Sequence, residues 1–546
     1  MAFYLRTMRR PCKLQTFIRC VAALVFTLCM TACTQQPAPV SGIQAGESKD
    51  AFDAIFNDVM ARYQLPGLAV GIIEDGKVTY TRTAGELVAG SGRSVTPDTL
   101  FKIASNSKAM TTGVLARLVD AGKLHWNDPV IRYLPHFRMS DPWITREMQV
   151  RDLLIHNSGL REGAGDLMLW PEPNLFTRAD IIAGLAYLKP LHSFRSRYDY
   201  DNLMYVVAGE VAATAAGVPY EELVRRELFA PLQMTRCQIG EWRRDEVGNV
   251  AQAHMRQGDR NVVIRGDDEL IPAITSAAAG GIRCSLNDML TWMRMWLDPD
   301  LKSVGGEPWL TATQRETLWS AQIPMPISQR QRKWDGSRYN AYGYGWRLSD
   351  VDGERRVAHT GTLSGMYSAV TLLPERKTGF VFMINGEGAD ARTVLNEVLV
   401  KHFTAPDKAS VAWYVDDLAQ ERQQQPDENK APDTSSRQPA SQAALKQWLG
   451  VYRDPWFGEA SICVQDDRVR FSSAKSPQLA GDVMLVGKRL LVDWYDESAD
   501  AEPWLEFAPA KHGGATTLTM AKVDPDADFS NDYEDLFFTR ISDCHR

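Results

Sequence analysis

From Ala51 onward the apolar positions follow two periods, one near 3.6 residues and one of two. Phe52 to Tyr63 has helical spacing and runs into Pro66-Gly67. Two β-rich runs follow, LAVGII and KVTYTRT, joined by Asp75-Gly76, whose turn chemistry favours a hairpin. Residues from roughly 110 to 300 read mostly as helix, for example Met110 to Ala121 and Asn287 to Leu297. Strand patterns return at YGYGWRLSD, RRVAHT, YSAVTLLP and GFVFMIN. Strands at both ends with helices between them predict an α/β (α+β) fold, in which one antiparallel sheet is assembled from distant segments around an inserted helical region.

Val411 to Arg422 reads as a further helix, and 423–442 (QQQPDENKAPDTSSRQPASQ) as a linker by its Gln, Pro and Asp content. Residues 443–546 then alternate with period two in RVRFSS, RLLVDWY, TTLTMAKV and DLFFTRI, which predicts a small β-barrel or sandwich. At the other end, a basic stretch precedes the apolar run VAALVFTLCMT, too short to span a bilayer, so 1–32 reads as a signal peptide. Met30-Thr31-Ala32-Cys33 resembles a bacterial lipobox, which would make Cys33 a lipidated first residue and 33–50 a flexible tether to the membrane. Thr34 after that cysteine implies the outer membrane of a Gram-negative bacterium, with the protein facing the periplasm. The division expected is therefore signal peptide 1–32, tether 33–50, main domain 51–422, linker 423–442 and β-domain 443–546.

Charge and cysteine content narrow the functions available. Lys and Arg number 61 against 68 Asp and Glu, for a net charge of −7. The first 32 residues hold five of the basic residues and no acid, so the rest stands at −12, and it has no basic run with which to hold a nucleic-acid backbone. Four of the eight cysteines lie in the first 33 residues and no CxxC occurs, which excludes a zinc ribbon. Cys237 with Cys284 and Cys463 with Cys544 are either disulfides of an oxidising compartment or free thiols. No metal and no cofactor is expected.

The candidate chemistry begins with Ser105-Asn106-Ser107-Lys108, an S-x-x-K. Ser105 precedes an amphipathic helix, so Ser and Lys at i, i+3 share one face of its first turn, where unpaired backbone N–H groups favour developing negative charge. A serine hydroxyl is a poor nucleophile until a base takes its proton, and a lysine serves as that base only if burial or nearby positive charge lowers its pKa. A second S-x-x-K, Ser472 to Lys475, lies in period-two sequence, where residues three apart point to opposite faces; it reads as surface. Tyr200-Asp201-Asn202 supplies a phenol able to relay a proton and an amide able to hold an acyl group. Two segments fit a K/H-T-G pattern. Lys377-Thr378-Gly379 has hairpin-turn composition, whereas His359-Thr360-Gly361-Thr362 ends a strand, with Gly361 and Gly365 expected to let a substrate approach the backbone. His156 reads as a structural residue at a helix end. No GxSxG occurs.

With these motifs in order, residues from about 51 to 405 resemble the serine β-lactamase/penicillin-binding-protein family, specifically its class C β-lactamase-like D,D-peptidases and esterases. VRDLLIHNSGL, GKLHWNDPVIRYLP, PLQMT, AAGGIRCSLNDMLTWM and YGYGW are similar to further landmarks. The resemblance implies an antiparallel sheet flanked by helices with a helical subdomain, and Ser105 as acylated nucleophile, Lys108 as base and Tyr200 as proton relay. Asn202, His359, Thr360, Gly361 and Thr362 would bind substrate, and the N–H groups of Ser105 and Thr362 would form an oxyanion hole. His-Thr-Gly-Thr resembles the D,D-carboxypeptidase and D-aminopeptidase members, while the aspartate of Tyr-Asp-Asn departs from the usual Ser or Ala and leaves the substrate open among D-peptides, esters and β-lactams. Residues 443–546 resemble an uncharacterised β-rich domain that often follows such hydrolases. The rival class is an inactive surface lipoprotein that binds peptidoglycan or a protein partner.

Overall fold

The computed structural model describes residues 45–424, 430–499, 501–510 and 516–544. The expected signal peptide, Cys33, most of the tether and residues 425–429 of the linker lie outside the described residues.

The first helix, α1 (Ala45–Tyr63), leads into the expected hairpin of β1 (Gly67–Glu74) and β2 (Lys77–Gly85). The remaining strands of the sheet come some 240 residues later in the chain: β3 (Asn340–Tyr342), β4 (Arg347–Val351), β5 (Glu354–Leu363), β6 (Met366–Leu373) and β7 (Thr378–Ile384). Their order is β2-β1-β7-β6-β5-β4-β3, with Ile323–Pro324 as an eighth, two-residue edge, and all their pairings are antiparallel. β1 and β7 are apolar on both faces because both faces are covered. Leu68, Val70, Ile72, Phe380 and Phe382 pack with α1 and with the C-terminal helices Ala389–Thr404 and Val411–Gln423. Ala69, Ile73, Val381 and Met383 share the opposite core with the helix Leu286–Leu297.

The middle of the chain is less regular than its apolar spacing suggests. Among the described residues only three of its helices exceed ten residues: α2 (Ser107–Asp120), α3 (Leu203–Ala216) and α4 (Leu286–Leu297). Short helices such as Arg178–Gly184, 3-10 turns, loops, two-residue strand pairs and a small hairpin at residues 254–263 make up the rest. α2 is buried almost all round, as a helix at the centre of such a region must be. Among the described residues no single helix is long and apolar enough to cross a membrane.

The C-terminal region is an eight-stranded barrel of β8 (Gly450–Asp454), β9 (Gly458–Gln465), β10 (Arg468–Ser473), β11 (Ala480–Val486), β12 (Arg489–Trp494), β13 (Pro503–Ala508), β14 (Thr517–Lys522) and β15 (Phe537–Ser542). Each strand pairs antiparallel with the next and β15 returns to β8, so the ring closes and removes the exposed edges an open sheet would carry. The linker expected over 423–442 is shorter in space than in sequence: Gln438–Pro439 pairs with β11, and Arg437 is ion-paired to Asp493 and Glu502. Its polar composition hid this because the pairing uses backbone and exposed charge. Cys237–Cys284 and Cys463–Cys544 are disulfides.

Candidate active site

Ser105 sits in the 3-10 turn Ala104–Asn106 that opens directly into α2, and Lys108 is in the first turn of that helix. Ala104 has a φ of +48°, a left-handed conformation that an alanine adopts only under constraint, and here the turn is clamped from several sides. Ile103 N–H donates to Ile282 O at 3.0 Å, and Asn106 Nδ2 donates to Ser368 Oγ on β6 at 2.7 Å. Ser368 in turn donates to Ile103 O at 2.8 Å. Gly361 completes the clamp: a Cβ there would lie 2.2 Å from Ile103 O, so only glycine lets β5 press against the turn.

Lys108 is fully buried, and its Nζ lies 3.1 Å from Ser105 Oγ, 2.7 Å from Asn202 Oδ1 and 2.9 Å from Ala279 O. Two of these neighbours can only accept. A neutral amine must therefore give its two hydrogens to Asn202 and Ala279, which leaves its lone pair facing the Ser105 hydroxyl. Burial, aided by the positive charge of Arg347, brings Lys108 down from 10.5 to about 7, against the opposing pull of Asp166 and Asp201. About half of the amine is therefore neutral at pH 7.

Tyr200 is buried beside this pair, with Lys108 Nζ 4.8 Å from its ring centroid. Burial raises its phenol above the ordinary value, so it stays a proton donor. Its position is fixed by His156, whose ring packs against it at a tilt of 31° with centroids 4.2 Å apart and accepts from Asp201 N–H at Nδ1 (3.0 Å). His156 is fully buried and held neutral by that burial. Asn202 accepts from Lys108 and donates to Asp166 Oδ2 at 2.7 Å, so the amide expected to hold an acyl group also holds the base. Asp201, the departure from the usual Tyr-x-Asn, faces away from the cavity: it accepts from Ser158 Oγ at 2.8 Å and from Met204 N–H in the first turn of α3 at 3.2 Å. It thereby caps the first turn of α3.

The strand β5 brings His359 to Leu363 past the end of β4, whose pairing stops at Ala358, so this part of β5 has an open edge toward Ser105. His359, expected to contact substrate, is buried with both ring nitrogens engaged: Nδ1 donates to Thr360 O at 2.8 Å and Nε2 accepts from the Tyr342 hydroxyl at 2.9 Å. It orients the strand and Tyr342, while Thr360 and Thr362 line the cavity. Gly361 and Gly365 admit the protein's own backbone, at Ile103 and His254, where a substrate was expected. Lys377 stands exposed at the turn between β6 and β7. Ser472 is on β10, and Lys475 is paired with Asp180 at 2.7 Å, so it ties the barrel to the helical region.

Several residues of the site carry no sequence signal. Arg347 donates to Thr360 Oγ1 at 2.9 Å and lies 5.8 Å from the Tyr200 ring, while Arg392 donates to Thr362 Oγ1 and, at 3.0 Å, to Gly361 O. Among the described residues neither guanidinium has a carboxylate within ion-pair distance. Ser105, Tyr200, Asn202, Arg347, Thr360 and Thr362 share the wall of one cavity of about 420 Å³, a size that holds a small peptide or drug-sized molecule. Among the described residues no group of three or more His, Cys, Asp and Glu gathers as a metal site.

A serine and a desolvated lysine at a helix start, facing the open edge of an antiparallel strand, have the arrangement that acyl transfer through a serine requires, on a sheet-and-helix scaffold. Residues 52–403 match the Beta-lactamase family model, and the chain belongs to that family of serine hydrolases. Residues 434–540 match a domain of unknown function, DUF3471. A relative from Aspergillus campestris, named unguisins hydrolase, is 26% identical over 77% of this chain and 80% of its own. The octameric penicillin-binding protein homologue from Pyrococcus abyssi superposes with a TM-score of 0.56 at 19% identity, covering 90% of this chain and 99% of that one. A class C β-lactamase superposes with a TM-score of 0.52 at 21% identity, over 65% of this chain and 96% of its own.

Proposed function

We propose that the protein is an acyl-enzyme hydrolase acting through Ser105 on small peptides that end in a D-amino acid with a free carboxylate, as a D,D-carboxypeptidase does. The observation that carries the acyl-enzyme step is the Lys108 amine, whose hydrogens are committed to Asn202 and Ala279 and whose lone pair is left for Ser105. Lys108 takes the Ser105 proton as Oγ bonds to the substrate carbonyl carbon. The oxyanion is held by the N–H groups of Ser105 and Thr362, each such donor being worth roughly 3 kcal/mol in the transition state. The intermediate collapses, the C–N bond breaks, and the leaving nitrogen takes its proton through the Tyr200 hydroxyl. Water, deprotonated along the same route, then attacks the ester and restores Ser105. The carboxylate preference is supported by Arg347 and Arg392, two guanidiniums without carboxylate partners beside Thr360 and Thr362. The D-configuration is supported by the likeness of His-Thr-Gly-Thr to the D-peptidase members.

The reading places the protein outside the cytoplasm, lipid-anchored through Cys33 on the periplasmic face of an outer membrane. Two disulfides that use four of the cysteines support an oxidising compartment. One panel tests the substrate: a D-Ala-D-Ala peptide, a D-amino-acid amide, a short-chain nitrophenyl ester and a chromogenic cephalosporin, each with wild type and Ser105→Ala. Fastest Ser105-dependent release from the D-Ala-D-Ala peptide is expected. Release only from the ester makes the protein an esterase, release only from the cephalosporin a β-lactamase, and no turnover of any kind overturns the enzyme reading.

A further inference from the structure

The barrel reaches into the cavity. The turn between β14 and β15 places Asp528, Phe529, Ser530 and Asn531 on its wall, which Thr360 and Thr362 also line. Phe529 meets the Tyr200 ring edge-on at 5.6 Å, and Ser530 Oγ donates to Asp166 Oδ2 at 2.8 Å. The seat for this turn is the segment Arg161–Asp166. Gly165 N–H donates to the buried Asp532 carboxylate at 2.5 Å, and Arg161 pairs with Asp532, Glu534 and Asp535. Gly163 has a φ of +73°, and a Cβ there would lie 2.5 Å from Phe529 O, so a side chain at this position would exclude the turn.

The same oxygen of Asp166 that accepts from Ser530 also accepts from Asn202, which in turn accepts from Lys108. A continuous chain of hydrogen bonds therefore runs from the barrel to the base. Asp166 is fully buried and its other oxygen has no partner among the described residues, so the carboxyl depends on these two donors for its position.

We propose that this turn of the barrel is a working part of the catalytic centre, with Ser530 positioning Lys108 through Asp166 and Asn202 and Phe529 forming a specificity-determining wall beside Tyr200. The proposal rests on the reading of Lys108 as the base of Ser105. Asp166 and Asp201 favour the Lys108 ammonium and Arg347 opposes it; the Tyr200 and Tyr205 rings lie 4.8 and 5.2 Å from its Nζ with their phenols protonated, and His156 and His359 flank it in their neutral forms. Asp166 faces Lys108, Asp201 and Asp532, and burial holds it well above the usual carboxylate range. A second carboxyl placed against Asp166 keeps at least one negative charge in the pair. That charge stabilises the Lys108 ammonium and moves the onset of activity to higher pH.

The test is the rate of fluorophosphonate labelling of the full chain from about pH 5 to about pH 10, which reads the base without a known substrate. Ser530→Asp is expected to move the acid limb up by about one pH unit, and Lys488→Ala, on the distant β11–β12 turn, to leave it in place. If Ser530→Asp fails to fold, Ser530→Ala is expected to slow labelling about fivefold or more, with Ser530→Thr rescuing it. Phe529→Ala is expected to raise the rate on a bulky aromatic ester relative to an acetate ester by about tenfold. Ser105-dependent labelling of wild type with an unmoved limb and an unchanged ester ranking overturns the proposal. So does a lowered Tm with neither readout moved, since a merely structural turn would do that. Absence of Ser105-dependent labelling in wild type overturns the hydrolase reading itself, and the proposal with it.

Discussion

Ser105–Lys108 and Ser472–Lys475 have the same S-x-x-K spacing, one at the start of a buried helix and the other on a barrel strand and the turn beyond it. In the first, a helical turn brings Nζ to 3.1 Å from Oγ, and complete burial strips water from the amine. In the second, Lys475 turns away to pair with Asp180 and keeps about a third of its side chain in solvent. The motif is therefore chemistry only where the backbone folds three residues onto one face and the surroundings remove the hydration of the charge.

The largest separation between the two is expected from the serines. Ser105→Ala should reduce fluorophosphonate labelling to background, a loss of roughly 10³-fold or more, while Ser472→Ala keeps the wild-type rate. Gel fluorescence reads both, and labelling that survives in Ser105→Ala breaks the comparison. Next come the lysines. Lys108→Met removes the base and should cost about 10²- to 10⁴-fold in kcat/KM, whereas Lys475→Met leaves the rate alone. The sign of the pH dependence follows from the same group. With Lys108 at about 7, its amine is protonated and inactive in acid, so kcat/KM rises as pH climbs through about 7 and then levels. A limb near the ordinary lysine value would mean that the amine is solvated.

Ser105, Lys108 and Tyr200 were legible because each sits where a short-range pattern changes: a nucleophile before a helical period, a phenol before the next one. The strands were legible from their runs: β1 and β7 as continuous apolar segments covered on both faces, and β2 as the β-rich run joined to β1 by Asp75-Gly76. The barrel-like character of the C-terminal region was legible in its alternating strands, and the β15–β8 pairing is what closes it, since period-two alternation is the same in a barrel and a sandwich. Arg347, Asp166 and Ser530 were not legible. They come from three segments far apart in sequence, in loops or at a strand end, where a polar residue reads as solvated. Gly361 was visible but its neighbour was not: the backbone that approaches it, Ile103 O, belongs to the protein.

A smaller effect is expected behind the site. Tyr342→Phe leaves His359 Nε2 without its donor in a fully buried position, and an unsatisfied buried acceptor costs about 1–3 kcal/mol. Chemical denaturation should show that loss while Ser105 still labels, since Tyr342 touches the strand and not the nucleophile. Loss of labelling with unchanged stability would instead place Tyr342 in the reaction.

The smallest effect belongs to the second motif itself. Lys475→Ala breaks the pair with Asp180, which joins β10's following turn to the helical region with both side chains about one-third exposed. Water and salt screen such a pair, and flexible side chains lose entropy in making it, so its removal is expected to cost less than about 1 kcal/mol. The backbone bond from Leu175 N–H to Lys475 O, 2.7 Å, stays in place in the variant and continues to hold the two regions together. A denaturation midpoint that falls by more than this, with a change in its salt dependence, would show that Lys475 carries part of the docking of the barrel. The pH profile of Ser105 labelling should not move in either case, because Lys475 acts on neither Asp166 nor Lys108.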